Sequence, residues 1–309
     1  MDWTISDGDA GVRLDKFLAA GDRLGSRRRA SVALDRGKVF VNDVEAAPSA
    51  AANKLSSGDR VRVWMDRPGS SRSRAPALTG DLKILYEDDA LLVLDKPAGL
   101  LSVPLERKEH ADSVFDQLVG YMRPQGKRKP LVVHRIDRDT SGLVVFAKSV
   151  AAQNALRAQF KRHTVERVYR AVVYGHPDPP AGSWRDRLVW DQRALIQKET
   201  HPRDPKGKEA SCRYEVLERF KATSLIEVRL ETGKRNQIRL QARLRGHTLV
   251  GETRYVYGPE ALRPIEFGRQ ALHAFRLAFT HPLTGQPLTF EAPIPADFAG
   301  LVSRLRTSA

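Results

Sequence analysis

Hydrophobic spacing along the chain switches between two periods. Near the N-terminus, Leu14, Phe17 and Leu18 recur at helical spacing in "RLDKFLAAG", which predicts a short helix with one apolar face. A second helix is predicted over "SRRRASVALDRG", opened by Ser26 as N-cap and stopped by Gly37. "KVFVNDVEA" then reads as a hairpin turning at Asn42-Asp43, and "DRVRVW" alternates as a strand does. Further on, "KILYEDDALLVLDKPAGL" predicts two strands joined at Glu87-Asp88-Asp89, the second ending in the turn Lys96-Pro97-Ala98-Gly99. A helix over Ser113–Met122 carries Phe115, Leu118, Val119 and Met122 on one stripe, with Asp112 as its expected cap. Another, over Val150–Lys161, starts behind Ser149 and ends on Lys161, Arg162 and His163, cations suited to a helix C-terminus. Strands are predicted at "PLVVHR", "GLVVFAK", "RVYRAVVYG" and "SLIEVRLETG", where Ile226, Val228 and Leu230 share a face. A basic loop, "RPQGKRK", precedes the first of these. A short helix at "NQIRLQARLRG" and a hairpin from "ALHAFRLAFTHP" and "PLTFEAPIP" complete the series.

Between the two groups of elements lies Asp66–Gly80, rich in Pro, Gly, Ser and Arg and without a hydrophobic period. It reads as a flexible linker. It divides the chain into a small domain, residues 1–65, and a larger one, residues 81–303. Helices and strands are mixed, hairpins are frequent and no βαβ unit repeats. The expected class is therefore α+β with a mixed, largely antiparallel sheet.

Charge adds a partner to this picture. The 309 residues include 52 Lys and Arg against 37 Asp and Glu, a net charge of +15. Such a surplus favours a polyanion, nucleic acid first, and on composition alone a basic surface with no partner stays open beside it. Arg27, Arg28 and Arg29 fall in the first turn of the predicted second helix, where cations oppose the helix dipole. A phosphate there would satisfy both the guanidiniums and the free helix N–H groups. A single cysteine, Cys212, allows no internal disulfide and no cysteine metal cluster, and fits a reducing cytoplasm. The acidic start "MDWTISDGDA" lacks the apolar core of a signal peptide. No run approaches the roughly 18 apolar residues of a membrane span.

The stretch "HRIDRDTSG", residues 134–142, holds the candidate chemistry. It lies on a loop between two predicted strands, a common place for reactive side chains. Three readings fit it. Asp137 and Asp139 would hold a divalent cation as a D-x-D pair, although His134, Arg135 and Arg138 already offset their charge. They would alternatively be structural, one paired with arginine and the other capping the Thr-Ser-Gly turn. Or one Asp is a catalytic carboxylate: charged, held rigidly and close to a cation.

A resemblance separates these readings. "RLDKFLA", "SRRRASVALDRGKVFVN" and "LSSGDRVRV" together resemble the S4 RNA-binding domain. "HRIDRDTSGLVVFAK" resembles the central H-R-L-D-x-x-T-S-G motif of the RluA-type pseudouridine synthases. "LLVLDKPAGLLSVP", "ERVYRAVVYG", "GKEASCRYEVL", "LETGKRNQIRLQARLRGH" and "RQALHAFRLAFTHPLTG" resemble that family's other landmarks in the same order, over residues 81–299. The resemblance implies a pseudouridine synthase fold with a central catalytic cleft. It maps the catalytic carboxylate to Asp137, a base-stacking tyrosine to Tyr169 and the cation paired with the Asp to Arg239. Asp139 falls in the motif's variable pair. His134, Thr140 and Ile238 are expected to shape the loop and the pocket. Arg135 and Arg138 would grip RNA or fill the space of a flipped base.

Arg235, Arg239 and Arg243 recur every fourth residue with no acid between Lys234 and Arg245, a basic face that RNA phosphates would relieve. Several positions depart from the family pattern: Ser102, Arg167, Lys234, Asn236 and Glu252 stand where His, Lys, Arg, His and Asp are usual. These surround the expected pocket and bear on substrate choice more than on reaction type.

The reading is an isomerase that converts uridine to pseudouridine in 23S ribosomal RNA, needing no metal and no cofactor. It is expected to be a cytoplasmic monomer, with no membrane partner. Transfer RNA is the alternative substrate. A non-catalytic RNA-binding protein of ribosome assembly and a metal-dependent glycosyltransferase are the alternative classes.

Overall fold

The computed structural model describes residues 1–65, 67, 78, 82–104, 112–123, 129–259 and 263–307. Most of the expected linker and of the "RPQGKRK" loop lies outside the described residues. The chain divides into two compact units, Met1–Leu78 with Leu118–Lys129, and Thr79–Gln117 with Pro130–Ala309. The division falls inside a helix that the sequence reading gave wholly to the larger domain. Arg123, just past that helix, lies close enough to Asp35 for its charge to act there.

The first unit contains β1 (Asp2–Thr4), α1 (Leu14–Leu18), α2 (Arg27–Asp35), β2 (Val39–Val41), β3 (Val44–Glu45) and β4 (Arg60–Val63). The strands form an antiparallel sheet in the order β1-β4-β2-β3. Leu14, Phe17 and Leu18 from α1 and Ala30, Ala33 and Leu34 from α2 pack with Ile5, Val39, Val61 and Val63. Local signals act as expected. The Ser26 hydroxyl accepts the Arg29 N–H at 3.2 Å, and Gly37 ends α2 at φ +64°. Asn42 and Asp43 both take left-handed conformations, φ 51° and 63°, the geometry a tight hairpin requires.

The second unit is built on β5 (Lys83–Glu87), β6 (Leu91–Lys96), the first residues of α3 (Val114–Met122), β7 (Leu131–Val132), β8 (Ser141–Ala147), α4 (Val150–Lys161) and β9 (Glu166–Tyr174). It continues with β10 (Ala181–Asp191), β11 (Ile196–Glu199), β12 (Lys208–Arg219), β13 (Thr223–Leu230), α5 (Gln237–Leu244), β14 (Leu272–Thr280), β15 (Pro287–Glu291) and α6 (Ala296–Thr307). One 11-stranded sheet runs β11-β10-β12-β13-β9-β14-β8-β6-β5, with β15 on β14 and β7 on β8. Its pairs are antiparallel except β14 with β8, which is parallel. The class is thus α+β with a mixed, largely antiparallel sheet.

Three details correct the sequence reading. Ser113, not Asp112, caps α3: its hydroxyl accepts the Asp116 N–H at 3.1 Å, while Asp112 accepts the Ser113 N–H. The strand expected at "PLVVHR" is only β7, because His134 turns its ring back to accept the Val145 N–H at 3.1 Å. Finally, α6 runs to Thr307, past the expected domain end at 303, and buries Phe298, Leu301, Val302 and Leu305.

Candidate active site

The 134–142 loop is held from several sides. Lys96, at the end of β6 and fully buried, donates to the carbonyls of Pro97, Leu100 and Arg138, each at 2.8 Å. Burial pushes this ammonium down to about 7, with Asp139 and Asp137 opposing the shift. Three acceptors match its three hydrogens. The Ser102 hydroxyl donates to the Ile136 carbonyl at 2.8 Å and accepts the Ile136 N–H at 3.2 Å. Arg269 donates to the Asp139 carbonyl and Gln270 to the Thr140 hydroxyl. The Thr140 N–H closes the turn on the Asp137 carbonyl at 3.2 Å. Gly142, φ +108°, lies so close to Ala274 that a Cβ would run into the Ala274 carbonyl. A loop tied by this many buried bonds presents its side chains in one geometry.

From this loop Asp137 meets α5. Its Oδ2 accepts from Arg239 Nη1 at 3.3 Å and from Asn236 Nδ2 at 2.7 Å. Arg239 in turn grips Glu252 with two bonds of 2.6 and 2.7 Å. The Glu252 side chain has no exposed surface. Burial alone would lower the Arg239 guanidinium, but the Glu252 bonds and charge, with Asp137, raise it above its ordinary value. The cation is therefore permanent, and it joins two carboxylates of which one is buried and the other faces a cavity.

That cavity, about 580 Å³, is walled by the loop from Val133 to Asp137, the end of α4, β9 and the segment Gly233–Arg239. Among its described lining residues Asp137 is the sole carboxylate. Tyr169 projects from β9, where Ala274 and Val228 flank it in the neighbouring strands. Burial, with Asp137 nearby, pushes its phenol up to about 12, so it keeps its proton at neutral pH. Lys161, Arg167, Lys234, Arg235 and Arg135 supply positive charge along its lining. Burial lowers Arg167, Tyr169 opposing, and its Nε is buried without a hydrogen-bond partner. An aromatic face, one carboxylate and a ring of cations suit a planar base on an anionic backbone.

A model described as "RNA pseudouridylate synthase" matches residues 90–244. The chain is 36% identical to "Uncharacterized RNA pseudouridine synthase YlyB" of Bacillus subtilis, over 99% of this chain and 98% of that protein. It is also 36% identical to "Ribosomal large subunit pseudouridine synthase D" of Nitrosomonas europaea, over 99% of this chain and 88% of that one. This chain belongs to the RNA pseudouridylate synthase family. Members of the family are isomerases. The fold is shared with "Human RNA Pseudouridylate Synthase Domain Containing 4", at a TM-score of 0.59 and 22% identity, over 72% of this chain and 92% of that one.

Within this pseudouridine synthase, His134, Arg135, Asp137, Thr140, Tyr169, Arg235, Ile238 and Arg239 all line the cavity. His134 stacks on Phe160 at 4.7 Å, and burial, reinforced by Arg167, pushes its imidazole down to about 3, so it is a neutral wall. Ile238 belongs both to the wall and to the core of β9, β12 and β13. Arg138 does not line the cavity; its Nε donates to the Gly99 carbonyl at 3.1 Å. Asp139 does not line it either. Among the described residues no group of three or more His, Cys, Asp or Glu is placed to hold a metal ion. Arg27, Arg28 and Arg29 are exposed on α2 in the first unit.

The expected basic face is corrected. Helix α5 starts at Gln237, so Arg235 precedes it and stacks over Trp190 at 4.1 Å instead. Arg239 is neutralised by Glu252, and Arg243 donates to the Val256 carbonyl. The balancing acid lies outside the segment in which it was sought. Sequence reasoning placed Asn236 and Glu252 around the pocket only as departures from the family pattern, and gave Tyr255 and Lys96 no place at the site. Arg167, also expected around the pocket, does line the cavity: it stands two residues before Tyr169, and strand alternation puts both on one face.

Proposed function

We propose that this chain isomerises uridines of 23S ribosomal RNA, with Asp137 as the catalytic carboxylate. The observation that carries the reading is that Asp137 is the sole described carboxylate on the cavity wall and is clamped by a permanent cation. The reaction breaks the N1–C1′ bond, turns the uracil and joins C5 to C1′. Nothing is oxidised or hydrolysed. Attack at C1′, proton loss at C2′ and addition at C6 each begin with a charged carboxylate beside the nucleoside. Tyr169 offers its ring to the uracil, and its neutral phenol sits within the electrostatic reach of Asp137. The target base must leave its stack to enter a walled cavity, and Arg135 at the rim is placed to hold the backbone that turns with it.

Support for the ribosomal substrate comes from the relatives named for the large subunit and from the basic N-terminal unit. In that unit Arg28, Arg29, Arg36 and Lys38 line a cavity of about 460 Å³ beside the start of α2. We read it as an S4-like RNA-binding domain, on a cytoplasmic, monomeric enzyme. The test is a pseudouridine map of ribosomal and transfer RNA from a strain lacking this gene. Loss of one or a few 23S pseudouridines, restored by the wild-type gene and not by Asp137→Asn, is expected. Loss confined to transfer RNA would overturn the substrate. Restoration by Asp137→Asn would return the chain to a non-catalytic role.

A further inference from the structure

Two donors converge on one oxygen of Asp137, and one of them is an amide whose direction is fixed by the groups behind it. Asn236 Nδ2 lies 2.7 Å from Asp137 Oδ2, and Arg239 Nη1 lies 3.3 Å from the same oxygen. Oδ1 has no hydrogen-bond partner among the described residues. Behind the amide, Tyr255 Oη lies 3.3 Å from Asn236 Oδ1 and accepts the Gln197 N–H at 2.9 Å. With that acceptance made, the phenol's single hydrogen is directed to Asn236 Oδ1, so Nδ2 is left facing the carboxylate. The reverse orientation would set two oxygens against each other. Burial raises the Tyr255 phenol, which keeps that hydrogen in place. Asn236 has φ 53° and ψ 24°, a left-handed conformation that asparagine tolerates better than most residues, and it makes no capping bond to α5.

We infer that Asn236 is a positioning residue that, with Arg239, ties down Oδ2 of Asp137 and so leaves Oδ1 as the oxygen that acts on the nucleoside. The chain of bonds runs from β11 through Tyr255 and Asn236 to the carboxylate. It deepens the proposed function and rests on Asp137 as the catalyst.

The test uses the full-length protein and a 23S ribosomal RNA transcript, with kcat and KM measured for Asn236→Ala, Asn236→Asp and Asn236→His. Losing a bond to a charged group lowers kcat roughly 10- to 100-fold in Asn236→Ala, with KM nearly unchanged. Asn236→His retains an N–H donor and tolerates the left-handed backbone, and it recovers part of that loss. Asn236→Asp is nearly isosteric, so a fold defect does not mask its effect. At neutral pH it sets two carboxylates face to face. As pH falls, the new carboxyl takes up a proton and becomes a donor, so the variant-to-wild-type ratio of kcat rises toward acid. Arg239, Lys96, Arg135, Tyr169 and Tyr255 also act on Asp137 electrostatically. Their own titrations are common to both proteins and cancel in the ratio to first order. A wild-type kcat in Asn236→Ala, or a ratio for Asn236→Asp that stays flat with pH, would overturn the inference. Activity retained by Asp137→Asn would instead overturn the reading beneath it.

Discussion

The 134–142 loop and the first turn of α2 both look like clusters of positive charge, but the structure uses them differently. Around residues 134–142 many of the cations have fixed partners: Lys96 with three carbonyls, Arg239 with Glu252 and Asp137, Arg138 with Gly99 and Arg269 with Asp297. On α2, Arg27, Arg28 and Arg29 are exposed and make no ion pair among the described residues. Cations in the first region hold a carboxylate and a loop in place. Those in the second oppose the dipole of their own helix, as the reading of an RNA contact there requires. Charge counted along the sequence does not tell these uses apart; bonding does.

The sharpest way to break the contrast is to remove a committed cation. Arg239→Met leaves Glu252 buried without its counter-ion, and we expect a loss of about 3–5 kcal/mol in stability together with loss of activity. Denaturant titration and a pseudouridine assay check both. A fully active, equally stable variant would mean that the Asp137–Arg239–Glu252 chain is incidental. Lys96→Met comes next. Three carbonyls lose their donor, and we expect about 1–3 kcal/mol of destabilisation with a larger fall in kcat than in RNA affinity, because the loop loosens around Asp137.

Replacing Arg27, Arg28 and Arg29 with glutamate should have the opposite profile. RNA affinity should drop roughly tenfold or more and its salt dependence should flatten, while the melting temperature stays near that of the wild type. A salt slope equal to that of the wild type would remove these residues from the RNA interface.

The last effect, spread over two buried rings, concerns pH. Burial holds the folded imidazoles of His134 and His273 down to about 3 and about 4, whereas an unfolded histidine titrates near 6.5. Between these values the unfolded chain binds more protons, so stability falls as pH drops below about 6.5 and rises again on neutralisation. Over pH 7 to 5 we expect about 1–2 kcal/mol for each ring. Thermal melts across that range check the sign.

Local features were legible and distant ones were not. Ser26, Ser149, Gly37 and the Asn42-Asp43 turn act within a few residues, and each does what its chemistry predicts. β10 went unseen because only Trp184 and Leu188 along it are buried, so its alternation is weak. The parallel pairing of β14 with β8 joins His273 to Ser141, a registration that no short window contains. The site follows the same rule. Asp137 stood out in its motif, but its link to Arg239 came from resemblance to a family and not from spacing. Asn236 and Glu252 were visible only as departures from that family, and Tyr255 lies too far along the chain for pattern reasoning to place it beside them.

The most direct measurement of the central claim is pseudouridine formed in 23S ribosomal RNA by three purified proteins: wild type, Asp137→Asn and Asp139→Asn. The account predicts none from Asp137→Asn and close to wild-type amounts from Asp139→Asn, with RNA binding retained in both. Product from Asp137→Asn equal to that of the wild type, or loss in Asp139→Asn as complete as in Asp137→Asn, would contradict it.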